Sequence, residues 1–206
     1  MYLPKQFNHP EHARSIILEN PLASLVSNDD EGFPFISHIP IKLMPHATDP
    51  QQDMLLGHVA KGNPHAGFLH KRPEVLLTFM GPQAYMSPAV YPDLIRVPTW
   101  SYVAVHVKAE VRILEGEEAK DALLKQLIAD HEPAYAQQWR GLPETYTHPM
   151  MNAIVAFEMK LLEVQTKVKL NQHRPEAHAA MHAAYDAGNE SEKALALWMR
   201  RLGLVS

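Results

Sequence analysis

Apolar side chains in this chain recur mostly with a period of two. The clearest instance is Pro98-Thr99-Trp100-Ser101-Tyr102-Val103-Ala104-Val105-His106-Val107. Aromatic and β-branched residues dominate it, with small or polar neighbours from Tyr102 on. A strand with one face on a core and the other on something else has this pattern. The predicted strand runs from Trp100 to Leu114 and ends at Glu115-Gly116. Trp100 and Tyr102 share a face of it, as do His106 and Lys108.

Shorter strands precede it. Leu22 to Ser27 and Pro34 to Leu43 read as a hairpin turning at Asn28-Asp29-Asp30-Glu31-Gly32. Met54 to Val59 is a third strand, and Glu74 to Met80 with Ala84 to Pro88 form a tight pair around Gly81-Pro82. Asn152 to Val164 is the last. Asn8-His9-Pro10-Glu11 combines a capping side chain, a first-turn proline and an acid, and predicts a helix to about Asn20 with Ile16 and Ile17 inward.

Pro64 to Lys71 fits a short helix. After Gly116 the period lengthens: Ala119, Leu123, Leu124, Leu127 and Ile128 stand at helical spacing within Glu117 to His131. Ala134 to Arg140, Glu176 to Ala187 and Glu192 to Leu202 complete the helices. The order predicts a mainly β chain with peripheral helices, an α+β barrel. The barrel domain covers residues 1–170, with a helical insertion near 117–141, and residues 171–206 form a helical extension.

Composition narrows the classes. With 206 residues, 46% hydrophobic and 20% charged, the chain can bury an ordinary globular core. A net charge of −4 gives no overall footprint for nucleic acid or an acidic membrane. Cysteine is absent, which excludes disulfides, thiolate nucleophiles and cysteine-held metals. Met1-Tyr2-Leu3-Pro4-Lys5 opens no apolar leader, and no run approaches the roughly 18 apolar residues of a membrane span. A soluble, cytoplasmic protein is expected.

Two segments carry candidate chemistry. In Gly57-His58-Val59-Ala60-Lys61-Gly62-Asn63-Pro64, a strand delivers His58 and Lys61 to the start of a helix, whose N–H groups and positive end favour an anion. A phosphate seat fits these residues, and so does an asparagine that merely caps a surface helix beside a solvated lysine. In Gly81 to Tyr91, Tyr85 and Tyr91 offer flat surfaces and Ser87 a hydroxyl, a set that flanks a planar ring or belongs to half-buried strands.

Thirteen histidines raise the question of metal. His178 and His182 lie four apart on a predicted helix, and His9 and His12 are close in sequence, but neither pair has a third ligand at metal-site spacing. No metal is expected. Gly-x-Ser-x-Gly, Gly-x-Gly-x-x-Gly and Walker patterns are missing, so a hydrolase elbow, a Rossmann site and a P-loop have no support.

Taken in order, Met1-Tyr2-Leu3-Pro4 with Phe7, Leu25-Val26-Ser27, Ser37-His38-Ile39-Pro40, Gly57 to Pro64, Gly81-Pro82-Gln83-Ala84-Tyr85-Met86-Ser87-Pro88 and Val97 to Tyr102 resemble the PaiB-type FMN-binding proteins. Ala153-Ile154-Val155-Ala156-Phe157-Glu158 and Lys167-Val168-Lys169-Leu170-Asn171-Gln172-His173-Arg174 continue the likeness over nearly the whole chain. The resemblance implies a split β-barrel like that of pyridoxamine-phosphate oxidases, a homodimer with FMN at the subunit interface, and a role as negative transcriptional regulator. It implies a flavin phosphate near Lys61, Asn63 and His65, with His58 and His38 in reach, and Ser87, Thr99 and Trp100 at the ring and ribityl end.

Two other activities stay open. One is FMN-dependent oxidoreduction of a small molecule, with His106 as proton donor. The other is haem binding through His173 or His178. No helix-turn-helix pattern is visible. From Lys160 onward seven basic residues face five acids, a net of only +2, so direct DNA contact has no motif to carry it.

Overall fold

A computed structural model describes residues 1–93 and 95–206. Among these residues seven strands form one sheet: β1 (Leu22–Asn28), β2 (Pro34–Pro40), β3 (Lys42–Met44), β4 (Met54–Ala60), β5 (Glu74–Met86), β6 (Thr99–Leu114) and β7 (Ile154–Lys169). Their order is β2-β1-β5-β6-β7-β4-β3, and the recorded pairings are antiparallel. Among the described residues seven helices accompany them: α1 (Ala13–Glu19), α2 (His65–Lys71), α3 (Glu117–His131), α4 (Tyr135–Gly141), α5 (Glu144–Asn152), α6 (His178–Asp186) and α7 (Glu190–Arg201). The architecture is α+β, of the split-barrel kind.

Contacts divide the chain into two compact units. The first comprises Met1–Glu19, Met80–His106 and Gln165–Ser206; the second comprises Asn20–Phe79 and Val107–Val164. In the second unit Leu25, Leu55, Leu77, Phe79, Phe157 and Met159 are wholly buried. In the first, Ile16, Met86, Leu170, Met181 and Leu195 fill the interior. Burying such a side chain contributes about 1.5–3 kcal/mol before entropy is counted.

The β1–β2 hairpin forms where the sequence predicts it. The Asp29 carboxylate accepts the N–H groups of Glu31 and Phe33, each at 2.9 Å, and Gly32 takes a φ of 87°. The returning strand is shorter than the expected Pro34 to Leu43. Pro40 has no N–H to donate, and Ile41 N–H goes to the Pro21 carbonyl at 2.8 Å. Residues 42–44 then pair with β4 instead of β1, Lys42 opposite Leu56 and Met44 opposite Met54.

Gly81-Pro82 does not turn the chain. β5 runs unbroken from Glu74 to Met86, and Gly81 has no positive φ. A β-carbon at Gly81 would stand 3.2 Å from Val103 Cβ, so the glycine serves close packing within the first unit. The N-terminal helix also starts later than its capping pattern suggests. Asn8 bridges to Lys167, a 3-10 turn covers Pro10–His12, and His9 at its start makes no side-chain cap.

In the insertion, α3 and α4 match expectation, whereas α5 lies where the sequence assigned no element, with Pro149 in its interior. Leu123 of α3 packs on Leu56 and Ala156, with Leu124 and Leu127 beside them. Trp139 Nε1 donates to Asp121 at 3.0 Å and ties α4 to α3. No helix among the described residues is long and apolar enough to cross a membrane.

Candidate functional site

The expected site residues fall into two groups, one in each unit. In the second unit, β4 and α2 meet at the corner that carries Lys61, Asn63 and His65. Asn63 is committed internally: its Oδ1 accepts the His65 N–H at 3.0 Å and its amide donates to Ser37 Oγ at 2.9 Å. His65 is fully buried, with Nδ1 2.8 Å from Ser37 Oγ and the rings of Phe35 and Phe68 edge-on to it at 4.9 and 6.2 Å. Its Nε2 is buried without a partner among the described residues, and burial pushes its pKa down.

The helix start is occupied too. Ala66 N–H donates to the Asn63 carbonyl and Asn63 N–H to that of Ala60, both at 2.9 Å. Lys61 keeps an exposed side chain, while its N–H donates to the Ala153 carbonyl at 2.7 Å. His58 is half-buried with Nδ1 unpartnered among the described residues, and burial depresses its pKa as well. His38 is exposed on β2, its Nδ1 3.0 Å from Ser24 Oγ on β1. This corner therefore presents Lys61 and His38 outward, and turns Asn63 and His65 onto Ser37.

The first unit contains a cavity of about 400 Å³ lined by Thr99, Trp100, Tyr91, Arg96, Lys169 and Asn171 among others. That volume lies within the range of small-ligand pockets. Lys169 donates to Thr99 Oγ1 at 2.6 Å, linking the end of β7 to the start of β6. Asn171 takes a φ of 60°, a conformation asparagine tolerates better than most residues, and turns the chain out of β7. Its amide meets the Tyr91 hydroxyl at 3.0–3.2 Å.

The Arg96 guanidinium lies 4.9 Å over the Tyr91 ring and pairs with Asp93 at 2.8 Å, yet its buried Nε has no partner among the described residues. Trp100 is 55% exposed and stands edge-on to Tyr85 at 6.4 Å. Two expected residues, Thr99 and Trp100, thus line the cavity. Ser87 instead accepts the Ala89 N–H at 3.1 Å and caps a 3-10 turn. Lys169, Asn171 and Arg96 are the lining residues that sequence reasoning did not assign to a ligand. For Lys169 and Asn171 the signal lay in Lys167 to Arg174, a basic and amide-rich run at the end of β7; Arg96 carried none.

Among the described residues one trio of metal-type donors gathers within 4.8 Å: His9, Glu11 and His12. The trio is wired as a hydrogen-bond chain. Gln172 is oriented by Leu170 N–H, which donates to its Oε1, so its amide nitrogen faces His9 Nε2 at 3.3 Å. His9 Nε2 must accept there, which leaves Nδ1–H to donate to Glu11 at 3.0 Å. The nitrogen nearest the carboxylate therefore carries a proton rather than a lone pair.

Of the two haem candidates, His178 is buried with Nε2 donating to the Asn171 carbonyl at 3.0 Å, and His173 is exposed at the cavity. His106 is half-buried, and burial, the N-terminal ammonium and Lys167 lower its pKa.

Residues 1–163 match the family model described as "Putative FMN-binding domain". The chain is 31% identical over 183 residues to the Bacillus subtilis protease synthase and sporulation protein PAI 2, covering 85% of this chain and 84% of that protein. In fold it is similar to the flavocytochrome Anf3 of Azotobacter vinelandii (TM-score 0.58, 15% identity, 80% of this chain and 69% of that one). It is similar to the same degree to the FAD and heme binding protein of Mycobacterium smegmatis (TM-score 0.58, 15% identity, 79% and 72%). The cavity suits such a cofactor, with aromatic faces for a planar ring, a hydroxyl and an amide for its polar edge, and an arginine nitrogen without a partner among the described residues. The chain therefore belongs to this FMN-binding family, with a split-barrel fold and FMN as its cofactor.

Proposed function

We propose that the protein is a cytoplasmic, homodimeric, flavin-linked negative regulator of transcription, with FMN seated in the cavity of the first unit. The observation that carries the flavin seat is the grouping of Thr99, Trp100, Tyr91, Arg96 and Lys169 around one cavity. FMN supplies the redox chemistry when bound. The chain's own residues flank the ring with Trp100 and Tyr91 and offer the Thr99 hydroxyl and Asn171 amide to its edge. In the second unit Lys61 and His38 face outward, with His58, Asn63 and His65 behind them, and this corner is a separate candidate for phosphate contact.

The regulatory part is supported by the likeness to the Bacillus subtilis protease synthase and sporulation protein PAI 2. The exposed Trp100, Tyr85, Ile95 and Val97 of the first unit give a second copy an apolar surface to cover. Direct DNA reading has weak electrostatic support. The helices α6 and α7 are joined by a short turn, but the second opens with Glu190 and Glu192, a negative end that phosphates repel. Flavin-dependent association with another component fits the charge better.

The test combines light scattering with gel shifts on promoter DNA, each with oxidised and reduced FMN. The reading expects a dimer mass and a shift that depends on the flavin's state. A monomer, or no flavin dependence in the presence of cell extract, would overturn it. FMN-dependent oxidation of a small molecule is the second reading, favoured by the solvent access of Trp100 beside the cavity. Haem binding through the exposed His173 is the third.

A further inference from the structure

Tyr2, Phe7, Lys169, His173 and Arg174 line the cavity of the first unit without a part in holding the flavin ring. Phe7 is buried and stands edge-on to His173 at 5.8 Å. The Tyr2 ring lies 5.7 Å from Lys167 Nζ, and the Tyr2 carbonyl accepts from that ammonium at 3.0 Å. Lys167, 7% exposed and also 5.2 Å from the Tyr102 ring, is thereby committed inside the protein.

Lys169 differs. It stands two residues further along β7 on the same face, half-buried at the cavity wall. Its ammonium donates to Thr99 Oγ1 at 2.6 Å, which leaves N–H donors without an acceptor among the described residues. Neither lysine has a carboxylate partner among those residues, although lysine is seldom withdrawn from water without a counter-charge. Burial and the charge of Lys167 push the Lys169 pKa down, and a bound anion would oppose that push.

The two arginines of the cavity also differ. Arg96 is paired with Asp93 at 2.8 Å and reaches Glu176 at 3.5 Å. Arg174 shares that same Glu176 at 4.0 Å, so its guanidinium keeps N–H donors to spare.

We propose that this part of the cavity binds a small aromatic carboxylic acid as a second ligand, its carboxylate on Lys169 and Arg174 and its ring against Phe7 and Tyr2. The inference goes beyond the flavin reading and stands on the cavity alone. One ammonium and one guanidinium serve the two oxygens of a carboxylate, whereas an anion with more oxygens would call on Lys167 and Arg96, which are already engaged. The aromatic lining selects a planar apolar body on that carboxylate.

The experiment is calorimetric titration of the purified chain, FMN-free and FMN-loaded, with benzoate, with its uncharged isostere benzamide, with acetate and with inorganic phosphate. The wild type should bind benzoate about tenfold or more tightly than any of the other three. Lys169→Gln should erase the preference over benzamide, and Lys169→Arg should retain most of it. Tyr2→Ala should narrow the gap between benzoate and acetate. Matching thermal melts establish that the variants fold.

Equal binding of benzoate and benzamide by the wild type overturns the seat, as does a preference that survives Lys169→Gln or a wild type that takes up no benzoate at about 10 mM. Phosphate bound more tightly than benzoate overturns the carboxylate class. FMN titrated in parallel separates the two readings. A chain that keeps its benzoate preference but binds no FMN loses the flavin reading and retains this seat; one that binds FMN without a benzoate preference does the reverse.

Discussion

The phenolic hydroxyl of Tyr185 on α6 donates to Ser101 Oγ on β6 at 2.8 Å, with both side chains almost wholly buried. Ser101 also lines the cavity, so this bond holds the C-terminal helices against the strand that carries Thr99 and Trp100. Burial raises the Tyr185 pKa and keeps the phenol neutral as a donor, against the smaller opposing effect of the bond to Ser101. Tyr185→Phe keeps the ring but leaves Ser101 without its donor. The expected cost is about 1–2 kcal/mol in urea unfolding. An unchanged midpoint would show that the bond does not anchor α6.

Acid should destabilise the protein. The pKa values of His58 and His65 are pushed down by burial, so the folded chain prefers them neutral. The unfolded chain protonates its histidines below about pH 6.5. Their contribution to stability is therefore complete above that pH and is lost as pH falls toward the depressed folded values. Unfolding midpoints measured between pH 7.5 and 5 should fall, and His65→Gln should flatten that slope. A slope unaffected by the substitution would remove His65 from the account.

Gly57→Ala should be costly. A β-carbon there would stand 2.8 Å from Ile41 Cδ1 and 3.0 Å from Phe157 Cε2, and Phe157 is wholly buried and cannot retreat. Overpacking of this kind costs about 1–3 kcal/mol, read as a lower melting temperature. A neutral effect would mean that Ile41 swings aside freely.

The helix α7 begins with a capping box, in which Asn189 Oδ1 accepts the Glu192 N–H at 3.1 Å and Glu192 Oε2 accepts the Asn189 N–H at 2.8 Å. Asn189→Ala should cost about 1 kcal/mol by the same unfolding assay. A larger loss would implicate α7 in more than its own capping.

The strands, the long helix α3 and the family likeness were legible because each depends on local pattern: alternation in Tyr102 to Val107, and helical spacing from Ala119 to Ile128. The misreadings share a cause. Gly81-Pro82 has the local signature of a turn, but close approach to Val103, distant in sequence, decides its conformation. Pro34 to Leu43 reads as one strand, until Pro40 denies β1 a donor and β4 offers residues 42–44 another partner. The helix α5 was assigned to no element; Pro149 sits within it, and the Pro149 carbonyl accepts the Ala153 N–H at 3.0 Å.

The site was legible in part for the same reason. Thr99 and Trp100 stood out within one strand. The commitment of Asn63 and His65 to Ser37 was not visible, because Ser37 lies more than twenty residues upstream. Lys169 looked like one of several surface cations until its partner proved to be Thr99, seventy residues away in sequence.

The most direct test of the central claim is the absorption spectrum of freshly purified protein, followed by FMN titration of the stripped chain under flavin fluorescence. Saturable binding of one FMN per chain at about 1 µM or tighter is the predicted result, weakened roughly tenfold by Trp100→Ala. A colourless protein that leaves FMN fluorescence unchanged up to about 100 µM would contradict the account.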